Sequence, residues 1–232
     1  MSDCELPYQA TKNDKKKIIK DWQELFPFLH TGNSKLLKKS LPLLMGIALQ
    51  YDRINQSYIP IFYITNLIVS STSLNVCQRC LELPYATEFW ISISDHDKLY
   101  KSASDWLMAN FRVLLEDKPI HLSSLIQVFQ KQIESAKYPN TQTIKDMAYI
   151  NGYFSRFQES EIYINRAVDI IKTYSEFDAK STFSIDNVTT LSEWETKIRN
   201  ECSCPDLLHD RVSQRLTEAK FDKIPNVPLI VD

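Results

Sequence analysis

Glycine is nearly missing from this chain: three occur in 232 residues, at Gly32, Gly46 and Gly152. Glycine lets backbone approach a phosphate or take a positive φ in a strained catalytic turn. A P-loop, a dinucleotide fingerprint and a nucleophile elbow each require glycines at close, fixed spacing. The nearest pair here is 14 residues apart, which excludes all three. A helix-rich chain tolerates this scarcity, because helices use glycine chiefly at their ends.

Other shortages narrow the field further. The four histidines (His30, His96, His121, His209) show neither H-x-x-x-H nor H-E-x-x-H spacing, so no metalloprotease-type metal motif exists. The longest apolar stretches, 41–49 and 58–69, are too short or too interrupted to span a bilayer. The net charge of −2 and pI of about 6.1 lack the concentrated basic face that nucleic-acid binding requires. Met-Ser-Asp-Cys-Glu-Leu-Pro lacks the basic-then-apolar order of a signal peptide. The five cysteines are an odd count, which fits a reducing compartment better than a disulfide scaffold. These absences predict a soluble cytoplasmic protein with neither membrane nor nucleic acid as partner.

What is present is ordinary globular material, 44% hydrophobic and 24% charged, enough to bury a full core. The charge is segregated. Residues 12–39 hold eight lysines against Asp14, Asp21 and Glu24, whereas residues 159–201 hold nine acids against five bases. Such runs are ordinarily solvated helix faces. An acidic C-terminal half also suits a basic protein partner.

The pattern of apolar residues predicts an α+β fold: a small antiparallel sheet in an N-terminal part, 1–118, and a helical part, 119–232. A helix begins near Asn13 and Asp14, carries Ile18, Trp22 and Phe26, and stops at Pro27. His30–Ser34 reads as a turn, and strands follow at 43–51 and 58–68, joined as a hairpin. Pro60 assigns the second strand to an edge, or starts its pairing later. Residues 88–94 form a third strand candidate. Helical stripes then run through Leu99, Ala103, Trp106, Leu107, Phe111 and Leu114, and through Leu122, Leu125, Ile126, Phe129 and Ile133. Thr190 with Glu193 is a capping-box pattern, and Pro205 suits the first turn of a last helix.

Ile144, Met147 and Ala148, followed by Ile164, Ala167 and Val168, are spaced like a helix pair. Together with Gly152-Tyr-Phe-Ser-Arg-Phe-Gln-Glu-Ser-Glu-Ile-Tyr-Ile-Asn-Arg-Ala-Val168, this segment resembles a tetratricopeptide repeat. It departs from that family at Asn151, at Ser160 and in lacking a closing proline, and an ordinary helix hairpin has the same pattern. The resemblance implies a peptide- or protein-binding scaffold.

Constellations that could carry chemistry are few. Cys77-Gln-Arg-Cys80 and Cys202-Ser-Cys204 could supply thiolates for zinc, but their separation makes reduced, structural cysteines the better account. Pro205-Asp206 and Glu218-Ala-Lys220 match a metal-dependent nuclease pattern in text only. On one helix the two acids stand about 18 Å apart and cannot share a metal. Asp95-His96-Asp97 follows a strand and opens a helix, where acids favour the helix dipole. Glu88, Asp95 and His96 supply the alternative reading, an enzyme site assembled from distant residues. Neither metal nor cofactor is expected. The favoured reading is a non-enzymatic binding protein, of which a toxin-neutralising immunity protein from a bacterial toxin system is one form. Its partner-binding candidates are Tyr149, Tyr153 and Tyr163, expected on the surface, beside Glu159, Glu161 and Glu195.

Overall fold

The structure, a computed structural model, describes residues 11–32, 34–52, 54–69, 90–135 and 141–232. Helix α1 (Lys12–Leu25) opens one residue earlier than its sequence suggests, because Thr11 and Asp14 form a reciprocal capping box. The Thr11 hydroxyl accepts from the Asp14 amide at 3.2 Å, and the Asp14 carboxylate accepts from the Thr11 amide at 2.7 Å. Ile18 and Trp22 form its buried face.

Five antiparallel strands follow in sequence order: β1 (His30–Gly32), β2 (Lys35–Ser40), β3 (Leu43–Asp52), β4 (Ser57–Asn66) and β5 (Ile91–Ser92). The hairpin of β3 and β4 is the one the alternation predicts. β1 and β2 correct the expected turn at 30–34: residues 30–32 are a strand, paired antiparallel with 35–37. β2 escapes a pattern search because Leu36 to Ser40 are all buried, lysines included, so no polar face alternates with an apolar one. Gly46 explains how β2 and β3 fit together. Its φ is +156°, and a Cβ there would stand 1.8 Å from the Leu36 carbonyl oxygen. Pro60 pairs with Leu49 on β3, and among the described residues β5 pairs with Ser57 and Tyr58.

Helix α2 (His96–Leu115) is followed by a two-residue strand β6 (Ile120–His121) and helices α3 (Leu122–Ser135), α4 (Thr141–Tyr153), α5 (Phe157–Ile171), α6 (Glu176–Ile185), α7 (Leu191–Cys202) and α8 (Pro205–Ala219). The fold is α+β, as the sequence predicts. α7 carries the predicted Thr190–Glu193 capping box. Leu99, placed on the buried stripe of α2 by its spacing, is instead exposed. α4 is buried from Thr141 to Gly152, apart from Gln142, because α3, α5, α7 and α8 surround it. The tail returns to the start: strand β7 (Leu229–Ile230) lies parallel to β6, and the Val227 amide donates to the Lys39 carbonyl at 2.8 Å. One contiguous apolar core crosses the boundary near 117–119.

Candidate functional site

Of the alternative catalytic set, Glu88 lies outside the described residues. Asp95 pairs with Lys98 at 3.0 Å, one turn along its own helix. His96 is the informative member. It is buried at the first turn of α2, where both ring nitrogens are engaged. Nε2 lies 2.9 Å from Asp21 Oδ2 on α1, and Nδ1 lies 2.7 Å from the Tyr58 hydroxyl on β4. Trp22 donates its indole N–H to the same hydroxyl at 3.2 Å. Tyr100 stacks on the imidazole with centroids 4.6 Å apart.

The Asp21 carboxylate can only accept, so it takes the Nε2 proton of His96. In the neutral imidazole Nδ1 then accepts from the Tyr58 hydroxyl, whose oxygen in turn accepts from Trp22. The order carboxylate, imidazole, hydroxyl is that of a nucleophile-activating triad. The hydroxyl, however, belongs to a buried tyrosine whose pKa burial drives upward, and it faces the interior. This array holds α1, β4 and α2 together and offers no reachable nucleophile. Beside it, the Lys17 ammonium contacts Asp97 and stands 3.6 Å from Asp21. Sequence spacing could not find this cluster, because Asp21, Tyr58 and His96 are brought together only by the sheet.

The partner-binding candidates separate. Tyr149 is 3% exposed and Tyr163 8%, which corrects their expected place on the surface. Tyr149 lies off the apolar stripe of α4, but α4 has no solvent side in that region. Its hydroxyl donates to Glu201 Oε2 at 2.5 Å, and Arg211 donates to the same oxygen at 2.8 Å. Burial pushes the Glu201 carboxyl upward, but those hydrogen bonds outweigh it and hold the group below its ordinary range. Tyr163 accepts from Gln130 on α3 at 3.4 Å. Tyr153 alone remains half-exposed, against Phe154 and the His209 ring, whose centroid is 4.1 Å away.

The acids are also less free than their count implies. Glu159 pairs with Arg156 at 2.9 Å. Glu161 and Glu195, from α5 and α7, share Arg199. Cys202 is buried and its thiol is pushed up to about 12 by burial; Cys204 is exposed, and Cys77 and Cys80 lie outside the described residues. Asp206 and Glu218 stand at opposite ends of α8, as the helix reading requires.

Four large apolar side chains between 157 and 185 do reach solvent: Phe157, Ile162 (64% exposed), Phe177 (81%) and Ile185. Phe177, Ser181 and Ile185 recur every fourth residue along α6, a helix whose single fully buried side chain is Phe183. Between α5 and α6 an open hollow is lined by Ile170, Thr173, Tyr174, Asp178 and Thr182. Most of the large apolar side chains of α6 face outward, and Phe183 alone is buried.

No family profile matches this chain, and neither a curated protein nor a solved structure is found to be similar to it.

Proposed function

We propose that this chain is a non-enzymatic protein-binding protein whose contact face lies on α5 and α6. The observation that carries this reading is the exposure of Phe157, Ile162, Phe177 and Ile185 within 29 consecutive residues. Single exposed apolar residues are common, but several large ones left exposed on two successive helices supply the kind of side chain that interface cores use. Glu159, Glu176 and Asp178 stand beside these anchors in sequence and supply the polar rim. A partner with a basic surface fits the nine acids and five bases of 159–201. A toxin-neutralising immunity protein of the bacterial cytoplasm is the narrower form of the same reading, and the resemblance of residues 144–171 to a tetratricopeptide hairpin agrees with a binding scaffold. No helix among the described residues is long and apolar enough to cross a membrane.

The test is affinity capture from the source cell with wild type, Phe177→Asp and Ile162→Asp, followed by binding kinetics on the captured protein. Both positions are exposed, so the variants should melt with the wild type. Loss of the partner from both supports the reading. Unchanged affinity in both overturns the α5–α6 face.

A further inference from the structure

We propose that Asp21, His96 and Asp97 form a binding site for a divalent transition-metal ion of the zinc class, with Lys17 as the internal cation that otherwise fills it. Each of the three offers one ligand atom, and these atoms lie within 4.8 Å of one another. α1 supplies Asp21, while the first turn of α2 supplies His96 and Asp97. One imidazole nitrogen with two carboxylate oxygens suits Zn²⁺ or Co²⁺ better than Mg²⁺ or Ca²⁺, which favour all-oxygen shells. Three protein ligands leave a fourth position for water, as in open zinc sites.

Two observations set this group apart from an ordinary patch of surface acids. His96 is buried, and its Nδ1 is held 2.7 Å from the Tyr58 hydroxyl, itself fixed by Trp22. Metal-ligating histidines are oriented by such an outer partner on the second nitrogen. The site also already gathers a cation. The Lys17 ammonium contacts Asp97 and lies 3.6 Å from Asp21, on a half-exposed side chain free to swing outward.

Metal binding reverses the tautomer. Nε2 gives up its proton to solvent and takes the metal, and Nδ1 takes one up and becomes the donor to Tyr58. The Tyr58 proton must then turn away from His96; Tyr51, whose ring packs 5.7 Å from that of Tyr58, centroid to centroid, and whose hydroxyl makes no hydrogen bond in the metal-free protein, would have to move within reach to accept it. Lys17 leaves as the ammonium it already is. Because Lys17 neutralises the acids when no metal is bound, the fold does not depend on the ion. The proposal is independent of the α5–α6 binding face.

The experiment is calorimetric titration of the full chain with Zn²⁺ and Co²⁺, with Lys17→Met and Asp97→Asn alongside. The Asp97 side chain is mostly exposed, so Asp97→Asn removes a ligand without disturbing packing. Melting of the metal-free variants checks that. Expected are one equivalent of metal in the wild type and affinity about tenfold higher in Lys17→Met, where the competing charge is gone. Asp97→Asn should bind at least about tenfold more weakly, having lost a charged ligand. The Co²⁺ complex should lack thiolate charge-transfer absorption, which separates this site from the cysteines. No binding by either wild type or Lys17→Met, binding unaffected by Asp97→Asn, or thiolate bands in the Co²⁺ spectrum would each overturn the proposal.

Discussion

Lys38 and Lys39 are neighbours on β2, and their ammonium groups serve different parts of the chain. Lys38 donates to the carbonyls of Glu116 (2.5 Å) and Lys118 (3.3 Å), just past the end of α2. Lys39 donates to those of Phe221 (3.3 Å) and Asp222 (3.2 Å), just past α8. Successive strand residues point to opposite faces. A helix end leaves carbonyls without partners and carries partial negative charge, so a buried cation there is stabilised. One dipeptide thus ties the sheet to the ends of two helices.

Lys38 gives the pH prediction. Burial lowers its pKa from 10.5 to about 8, with Asp117 and Glu116 opposing the shift. Between those values the unfolded chain holds a proton that the folded chain has released, so stability rises with pH across that window. Below about 8 both states are protonated and the cost of burying the charge is constant. Wild type should therefore gain stability relative to Lys38→Met as pH rises from 8 to 10. Urea unfolding of both proteins across that range measures it; a difference independent of pH would mean that Lys38 titrates normally.

Phe129 lies on the buried stripe of α3 that the sequence predicts. Phe129→Ala should cost about 3–5 kcal/mol, the range for deleting a buried aromatic. A loss under about 1 kcal/mol in chemical denaturation would place that side chain outside the core.

Gly46→Ala should be among the most damaging small substitutions. The added carbon would overlap the Leu36 carbonyl, and the backbone there is in a region that side chains rarely adopt. Clash and strain together predict a loss of roughly 2–5 kcal/mol. Equal melting of variant and wild type would show that β2 and β3 can separate without penalty.

The parts legible in the sequence are those specified locally. The β3–β4 hairpin shows in alternation, α7 in the Thr190–Glu193 box, and α3 in a stripe running from Leu122 to Ile133. β2 was hidden because Lys38 and Lys39 are buried through contacts 78 and 182 residues away, which no window sees. The same holds for Asp21, Tyr58 and His96: His96 could be singled out beside two acids, but its partners are set by how α1 packs on the sheet. Tyr163 lies on the buried stripe of α5 with Ser160, Ile164 and Ala167, where the helical period itself marks it as core. Tyr149 misled for a different reason. Periodicity marks the faces of a helix with one wet side, and α4 has none over most of its length. Phe177 and Ile185 share one face of α6, and spacing alone does not tell that this face is the wet one.

Arg199 decides how much of the acidic face a partner meets. Its guanidinium contacts Glu161 and lies 2.8 Å from Glu195, and it donates to Asn165 at 2.7 Å. Two of the three candidate acids are thereby held and partly neutralised. Exposed pairs of this kind contribute about 0.2–1 kcal/mol each, so Arg199→Ala should change stability by little more than about 1 kcal/mol. Its effect on association should be larger in kind, because it removes a positive charge and frees two carboxylates at once. Rim charges act mainly on encounter, so a basic partner should associate faster with Arg199→Ala, with a steeper dependence on salt and a nearly constant dissociation rate. Phe177→Ala, by contrast, should speed dissociation and leave the salt dependence alone, as loss of an anchor does. Stopped-flow association at several ionic strengths separates the two effects. Slower association for Arg199→Ala would mean that the partner presents acids to this face, and the charge argument for a basic partner would fall.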